Sequence, residues 1–432
     1  MHLSLTTSIA FSLTLASFIT CLPRTSPAMA KRASPTPMVF AHYMLIMQPK
    51  NGDYTADINL AKEAGIDAFA VNYGGWNVDW TQHEAQLEKF YKTAEQLGFH
   101  LFLSIDTTSV KDTDMIINLS NKYAGSSAQL KVAGSILLSS FQTDPPAWNW
   151  KTDVVDKINS PVLLLPGTLS DDATALFSDN NIPGAGPFTW IHPSATPEKE
   201  HSTDLALASQ RDRTGKLWMA GIAPWFFTHL NPDKNWAHAQ DDQIFVDRWA
   251  SLLTLKPNFI EIITWNDWSE SSYISPPADA SSPGTTDAYW GSADHTAFRA
   301  MSKVFIKAFK AGQDDVVAVD AADEGVYMFY RRQPASAVGT SDPLPLPSDA
   351  GYLKDAIFVV TLLSAPAEVT LVSGDAASVA WTAPAGLQKK SYPWSLGTQV
   401  LRAKRGDQVV ADKVGAAVVA RLDKYDGNVV AF

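Results

Sequence analysis

Apolar and amphipathic stretches alternate along most of this chain. Eight apolar runs come first: Met38–Ile46, Ala68–Tyr73, Leu101–Ile105, Ser135–Ser139, Val162–Leu165, Pro187–Trp190, Leu217–Ala223 and Phe259–Trp265. Most are short, rich in Val, Ile, Phe or Leu, and apolar on both faces, the pattern of fully buried parallel strands. Between them lie helix-like segments. Asp57 to Ala64 is amphipathic and stops at Gly65, and Leu87 to Leu97 stops at Gly98, so each ends on a residue that accepts the left-handed turn closing a helix. Asp241 to Leu253 puts Ile244, Phe245, Trp249 and Leu252 on one face. Eight strand–helix units in succession predict a (β/α)8 barrel over residues 35–312.

After Gly312 the pattern changes. Val316–Asp320, Val326–Arg331, Ala356–Leu363, Glu368–Val372, Val379–Thr382, Gln399–Lys404, Gln408–Lys413 and Ala416–Leu422 are short and β-rich. Several alternate polar and apolar positions, and Gly, Pro, Asp and Ser clusters separate them. This spacing predicts an antiparallel β-sandwich over residues 313–432, with Gln333 to Ala350 as a Pro/Ser-rich loop inside it.

The first 30 residues read differently. An apolar stretch from Ile9 to Ile19 precedes Ala28-Met29-Ala30, a small-x-small cleavage pattern. A secretory signal peptide is expected, too short to span a bilayer. The one cysteine, Cys21, falls inside it, so the remaining chain is expected to hold together without disulfides, by core size.

Composition narrows the function. The chain has 432 residues, a formal charge of −11, and 14 Trp among 11% aromatics. Acidity repels phosphate backbones and anionic membranes, so neither nucleic acid nor a membrane is expected as a partner. Abundant indole suits the C–H faces of sugar rings, or simply a large core. The His residues show no ligand spacing, and no nucleotide-binding or hydrolase-elbow motif is present. No metal or cofactor is expected.

Barrel enzymes carry their chemistry at the C-terminal ends of the strands. The last apolar run leads into Trp265-Asn266-Asp267-Trp268-Ser269-Glu270. Two carboxylates three residues apart in a turn lie close enough to serve one bond. Glycoside hydrolysis needs such a pair: one donates a proton to the leaving oxygen, the other acts on the opposite face of the sugar. Flanking Trp side chains would lower the local dielectric and raise one carboxyl pKa. The plain alternative is a loop with a capping Asp and a solvated Glu. Other strand ends offer His42 and Tyr43, Asn72 and Tyr73, Asp106, Phe141, Trp190, and Trp225 with Phe226. His42 reads equally as a satisfied structural histidine, Asp106 as a helix cap, and the Trp225–Phe226 pair as core.

At these residues the chain resembles the fungal α-1,3-glucanases (mutanases), glycoside hydrolase family 71. The resemblance rests on Val39-Phe40-Ala41-His42-Tyr43-Met44, Ala61 to Asn72, Leu97-Gly98-Phe99 running on to Asp106, and Pro224-Trp225-Phe226-Phe227-Thr228. Most specific is Trp265 to Ile274, against the family pattern W-N-D-[YW]-[GS]-E-S-x-Y-I. Asp294-His295-Thr296-Ala297, Val359 to Leu363 and Ala383 to Gly386 extend it over nearly the whole chain. The resemblance implies a barrel followed by a β-sandwich that hydrolyses α-1,3-glucan with inversion, Asp267 as base and Glu270 as acid; the N-terminal segment makes secretion expected, and a monomer is expected. It further implies sugar contacts at the strand-end residues above and at Trp265, Asn266, Tyr273 and His295. Three positions depart from the family, which carries acids where this chain has Gln142, Gly167 and Ile191. Their loss bears on subsite binding and linkage. It leaves open a glucan-binding protein with little catalysis, or a hydrolase of shifted linkage.

Overall fold

The structure is a computed structural model that describes residues 35–49, 51–75, 82–141, 148–178, 186–190, 197–237, 244–278 and 289–432. The expected signal segment, Gln142 and Ile191 lie outside the described residues. From residue 34 onward the chain is one compact unit.

Eight parallel strands close into a barrel. In ring order they are β1 (Met38–Met44), β2 (Ala68–Tyr73), β3 (His100–Asp106), β5 (Ser135–Phe141), β6 (Val162–Thr168), β7 (Phe188–Thr189), β8 (Met219–Ile222) and β11 (Phe259–Ile262). The β3–β5 and β1–β11 pairings complete the ring. A short β4 (Lys131–Val132) adds antiparallel to β5. Each barrel strand comes from one of the eight apolar runs, the sixth contributing only two residues. Helices α1 (Thr55–Glu63), α2 (His83–Leu97), α3 (Thr113–Tyr123), α4 (Ala173–Ser178), α5 (Pro197–Thr214), α6 (Ile244–Leu255) and α7 (Thr296–Lys310) follow the strands. Gly98 ends α2 at φ +60°, where a Cβ would be strained.

Side chains alternate across each strand, and this decides what lines the barrel. On β1, Val39, Ala41 and Tyr43 join the core shared with the helices, while Phe40 faces inward. Phe40, Ala68, Ala70, Phe102, Leu137, Leu163, Phe188 and Phe259 fill the interior. Toward the C-terminal end the inward set turns polar.

The C-terminal part holds two four-stranded antiparallel sheets. One runs in the order β16 (Gly386–Pro393), β13 (Ala356–Leu363), β12 (Gly325–Arg331), β19 (Val429–Ala431). The other runs β15 (Val379–Ala383), β14 (Ala367–Ser373), β17 (Gln399–Arg405), β18 (Gln408–Val414). Val326, Met328, Ile357 and Val359 of the first meet Val369, Leu371, Leu401 and Ala403 of the second in one apolar layer, a sandwich core. Two expected strands are not formed. Val316–Asp320 makes no ladder, although Val316 and Val319 are buried, and Ala416–Leu422 makes only an isolated bridge from Val418 to Gly397. Strands β16 and β19 replace them. Gln388-Lys389-Lys390-Ser391 lacks an apolar run because β16 is an edge strand, where lysines are favoured.

A last strand pair, β9 (Phe227–Asn231) and β10 (Lys234–Ala237), forms a hairpin standing on the C-terminal end of β8.

Candidate active site

Asp267 and Glu270 share one turn beyond β11. Thr264 Oγ1 accepts from Asp267 N at 2.7 Å, which fixes the start of the turn. Asp267 Oδ1 then accepts from Ser269 Oγ at 2.7 Å and from Glu270 N at 3.0 Å. Asp267 is therefore buried and held by its own turn, while the Glu270 side chain keeps 23% of its surface exposed. Burial, and next the charge of Asp267, raise the Glu270 carboxyl to about 7, against an opposing pull from Lys234. A carboxylic acid that holds its proton near neutrality, beside a second carboxylate, is the arrangement that general acid–base hydrolysis requires.

Lys234, on the β9–β10 hairpin, places Nζ 3.3 Å from Glu270 Oε1. Nothing in the local sequence marks it, since 36 residues separate the two.

Behind the dyad lies a polar layer of the barrel interior. His42 Nδ1 meets Glu261 Oε1 at 2.7 Å with both side chains fully buried, and burial raises the Glu261 carboxyl despite the histidine. The Trp190 ring meets His42 edge-on at 4.9 Å between centroids, and Phe141 meets Trp190 at 4.8 Å. Asn72 pairs in register with Ser104, and Ser104 with Ser139. Buried atoms of this layer lack a hydrogen-bond partner: His42 Nε2, Glu261 Oε2, Asn72 Oδ1, Ser104 Oγ and Ser139 Oγ. Leaving one such group unpaired costs about 1–3 kcal/mol, so five on neighbouring strands mark a polar interior layer that the fold keeps at a cost in stability. Glu261, Ser104 and Ser139 are absent from the sequence-derived site. All three sit inside apolar runs, and strand alternation is the signal that finds them.

The structure gathers some of the expected site residues and disperses others. His42, Asn72, Phe141 and Trp190 join the barrel interior near the dyad. Asp106 closes β3, where Oδ1 accepts from Thr108 N at 2.9 Å as a turn cap. Tyr43 and Tyr73 point the other way, into the helix-facing core. Tyr43 donates to Asp57 Oδ2 at 2.8 Å, and Tyr73 packs against His83. Trp265 is buried against Phe69. Asn266 ties the turn to the end of β1, accepting from Met44 N at 2.8 Å and donating to Met44 O at 3.2 Å. Trp225 is buried and donates to Gly427 O at 3.0 Å, and Phe226 stacks on Trp236. Tyr273 stacks on His295 at 4.1 Å, with burial lowering the His295 imidazole to about 4. Trp225, Trp265, Asn266, Tyr273 and His295 brace the site from behind, while Phe226 joins the apolar barrel interior.

Of the three departures, Gly167 is described. A Cβ there would sit 2.0 Å from Ser140 O, so β5 and β6 close where the resemblance implied an acid. Among the described residues no cluster of His, Cys, Asp or Glu is arranged to hold a metal.

The chain is similar to known proteins over most of its length. Residues 36–431 match the profile of Glycosyl hydrolase family 71. A mutanase of Penicillium rubens is 32% identical over 401 residues, covering 90% of this chain and 87% of that protein. A glucan endo-1,3-alpha-glucosidase of Schizosaccharomyces pombe is 30% identical over 410 residues, 90% of this chain and 93% of that one. An ascus wall endo-1,3-alpha-glucanase of the same yeast is 25% identical over 351 residues, 76% and 79% of the two chains. Barrel, dyad turn and C-terminal sheets all fall within the matched span, and the chain belongs to glycosyl hydrolase family 71.

Proposed function

We propose that this protein is a secreted, monomeric hydrolase that cleaves α-1,3-glucan with inversion. Glu270 gives its proton to the bridging oxygen as the bond from that oxygen to the anomeric carbon breaks. Water attacks the carbon from the opposite face and passes a proton to Asp267. The observation that carries this reading is the pair itself: a carboxyl raised to about 7, one turn away from a second carboxylate at the barrel's C-terminal end. Support for the substrate comes from relatives 30% and 25% identical that are named for endo-1,3-alpha-glucan cleavage, beside a mutanase at 32%. Secretion rests on the apolar stretch and Ala28-Met29-Ala30. Asp106, Phe141 and Trp190 contact the sugar, with the Phe141 and Trp190 rings partly exposed, whereas His42 and Asn72 are buried.

Incubation with insoluble α-1,3-glucan tests the reading. Reducing sugar should appear, with the β-anomer first by NMR, and Glu270→Gln should lower turnover by about 10²–10⁴-fold. An α-anomer first would remove Asp267 as base. Binding without product, or activity surviving Glu270→Gln, would overturn the proposal.

A further inference from the structure

We propose that Lys234 is a positioning residue of the dyad: its ammonium supports the charge Glu270 acquires on giving up its proton, and the C-terminal part of the chain holds it in place. The inference rests on Glu270 being the acid.

Two contacts join the β9–β10 hairpin to the dyad turn. Lys234 Nζ stands 3.3 Å from Glu270 Oε1, and Phe227 N, at the hairpin's start, donates to Glu270 O at 2.9 Å. Among the described residues, the charged groups acting on Glu270 are Asp267 from its own turn and Lys234 from the hairpin. Those acting on Lys234 are the same two carboxylates. Burial lowers the lysine, the two carboxylates raise it, and the net direction is up. Lys234 therefore stays cationic throughout the range in which Glu270 titrates.

That charge resolves a conflict in the site. Burial and Asp267 keep Glu270 protonated, which an acid needs before reaction, but they also make it a weak acid. A fixed cation at its oxygen favours the carboxylate that forms as the leaving oxygen takes the proton. The advantage exists only if the cation is already there. A lysine has a flexible stem, and the Lys234 side chain is 51% exposed.

The C-terminal part supplies the restraint. Asn235, the next residue, donates from Nδ2 to Pro345 O at 3.0 Å and accepts from Ser348 N at 3.2 Å through its carbonyl. Ala237 N donates to Ser348 O at 3.0 Å. His229 Nε2 meets Asp342 Oδ2 at 2.9 Å, and that same oxygen accepts from Tyr425 N at 2.6 Å. A loop over 100 residues away in sequence is thus laced to both strands of the hairpin. An exposed ion pair without such lacing would contribute little.

The test is the pH–rate profile on α-1,3-glucan for Lys234→Met, Lys234→Arg and Asn235→Ala. Lys234→Met should move the alkaline limb upward by about one pH unit and lower kcat on the acid side about three- to tenfold, with KM unchanged. Lys234→Arg should keep the limb in place, and Asn235→Ala should move it part of the way with the lysine intact. A limb unmoved in Lys234→Met overturns the inference, whatever the rate. So does equal loss in the Met and Arg variants. A limb unmoved in Asn235→Ala removes the role of the C-terminal part. Glu270→Gln run alongside separates the failures: if it stays active, the acid assignment falls, and if it is inactive while the limb stands still, only Lys234 falls.

Discussion

Under the proposed mechanism Asp267 has two tasks, one for each of its oxygens. Oδ1 holds the turn through Ser269 Oγ and Glu270 N, which leaves Oδ2 for a water on the sugar's far face. Asp267→Asn keeps a carbonyl oxygen for the turn but loses the base. It should fold like the parent, with an unchanged melting temperature, while turnover falls by about 10²–10⁴-fold. Asp267→Ala removes both functions and should lose stability as well as turnover, read by calorimetry beside the sugar assay. This turn was legible in the sequence because both carboxylates and their tryptophans are contiguous. Its partners were legible only in half. His42-Tyr43 and Asn72-Tyr73 each read as a polar-aromatic pair at a strand end, yet neighbours on a strand face opposite ways. His42 and Asn72 turn inward, and both tyrosines turn to the helices. Glu261 was hidden for the same reason, a carboxyl set among Phe259, Ile260, Ile262 and Ile263.

Elements met the sequence pattern in the barrel and in six of the eight sandwich strands, the exposed edge strands β15 and β18 among them, and missed the edge strands β16 and β19. Strand β16 is polar through its middle, Gln388 to Ser391, and β19 has only three residues, so neither carries a periodic signal. The sheets are also joined by charge. Glu324, just before β12, receives Arg405 Nη2 at 2.9 Å and Ser364 Oγ at 2.7 Å, and these bonds, led by the arginine, pull its carboxyl down to about 2. A carboxyl depressed by folding stabilises the fold above its ordinary value of 4.5 and loses that contribution as pH falls through about 2. Glu324→Gln should therefore melt about 1–3 °C below the parent at pH 7, and the gap should vanish near pH 2. A gap that persists in acid would assign the effect to packing.

At the scale of the molecule, barrel and sheets share a core. Phe298 of α7 meets Phe329 of β12 at 5.3 Å, and Phe329 meets Phe358 of β13 at 5.3 Å, all in the cluster that wraps the barrel. Calorimetry should show one unfolding transition, and two resolved endotherms would contradict this continuity. The sequence change at Gly312 suggested a boundary; what it could not reveal is how apolar faces on either side meet. Residues 425–431 carry that union to the site. Gly427 O takes the Trp225 indole, Asn428 Oδ1 meets His295 Nε2 at 2.9 Å, and Ala431 N donates to Asp294 O at 2.7 Å. Asn428 leaves the ribosome 133 residues after His295. A nascent barrel must wait for them with its indole and imidazole short of these partners, so productive folding is a late event, and the waiting chain is the species that chaperones would encounter.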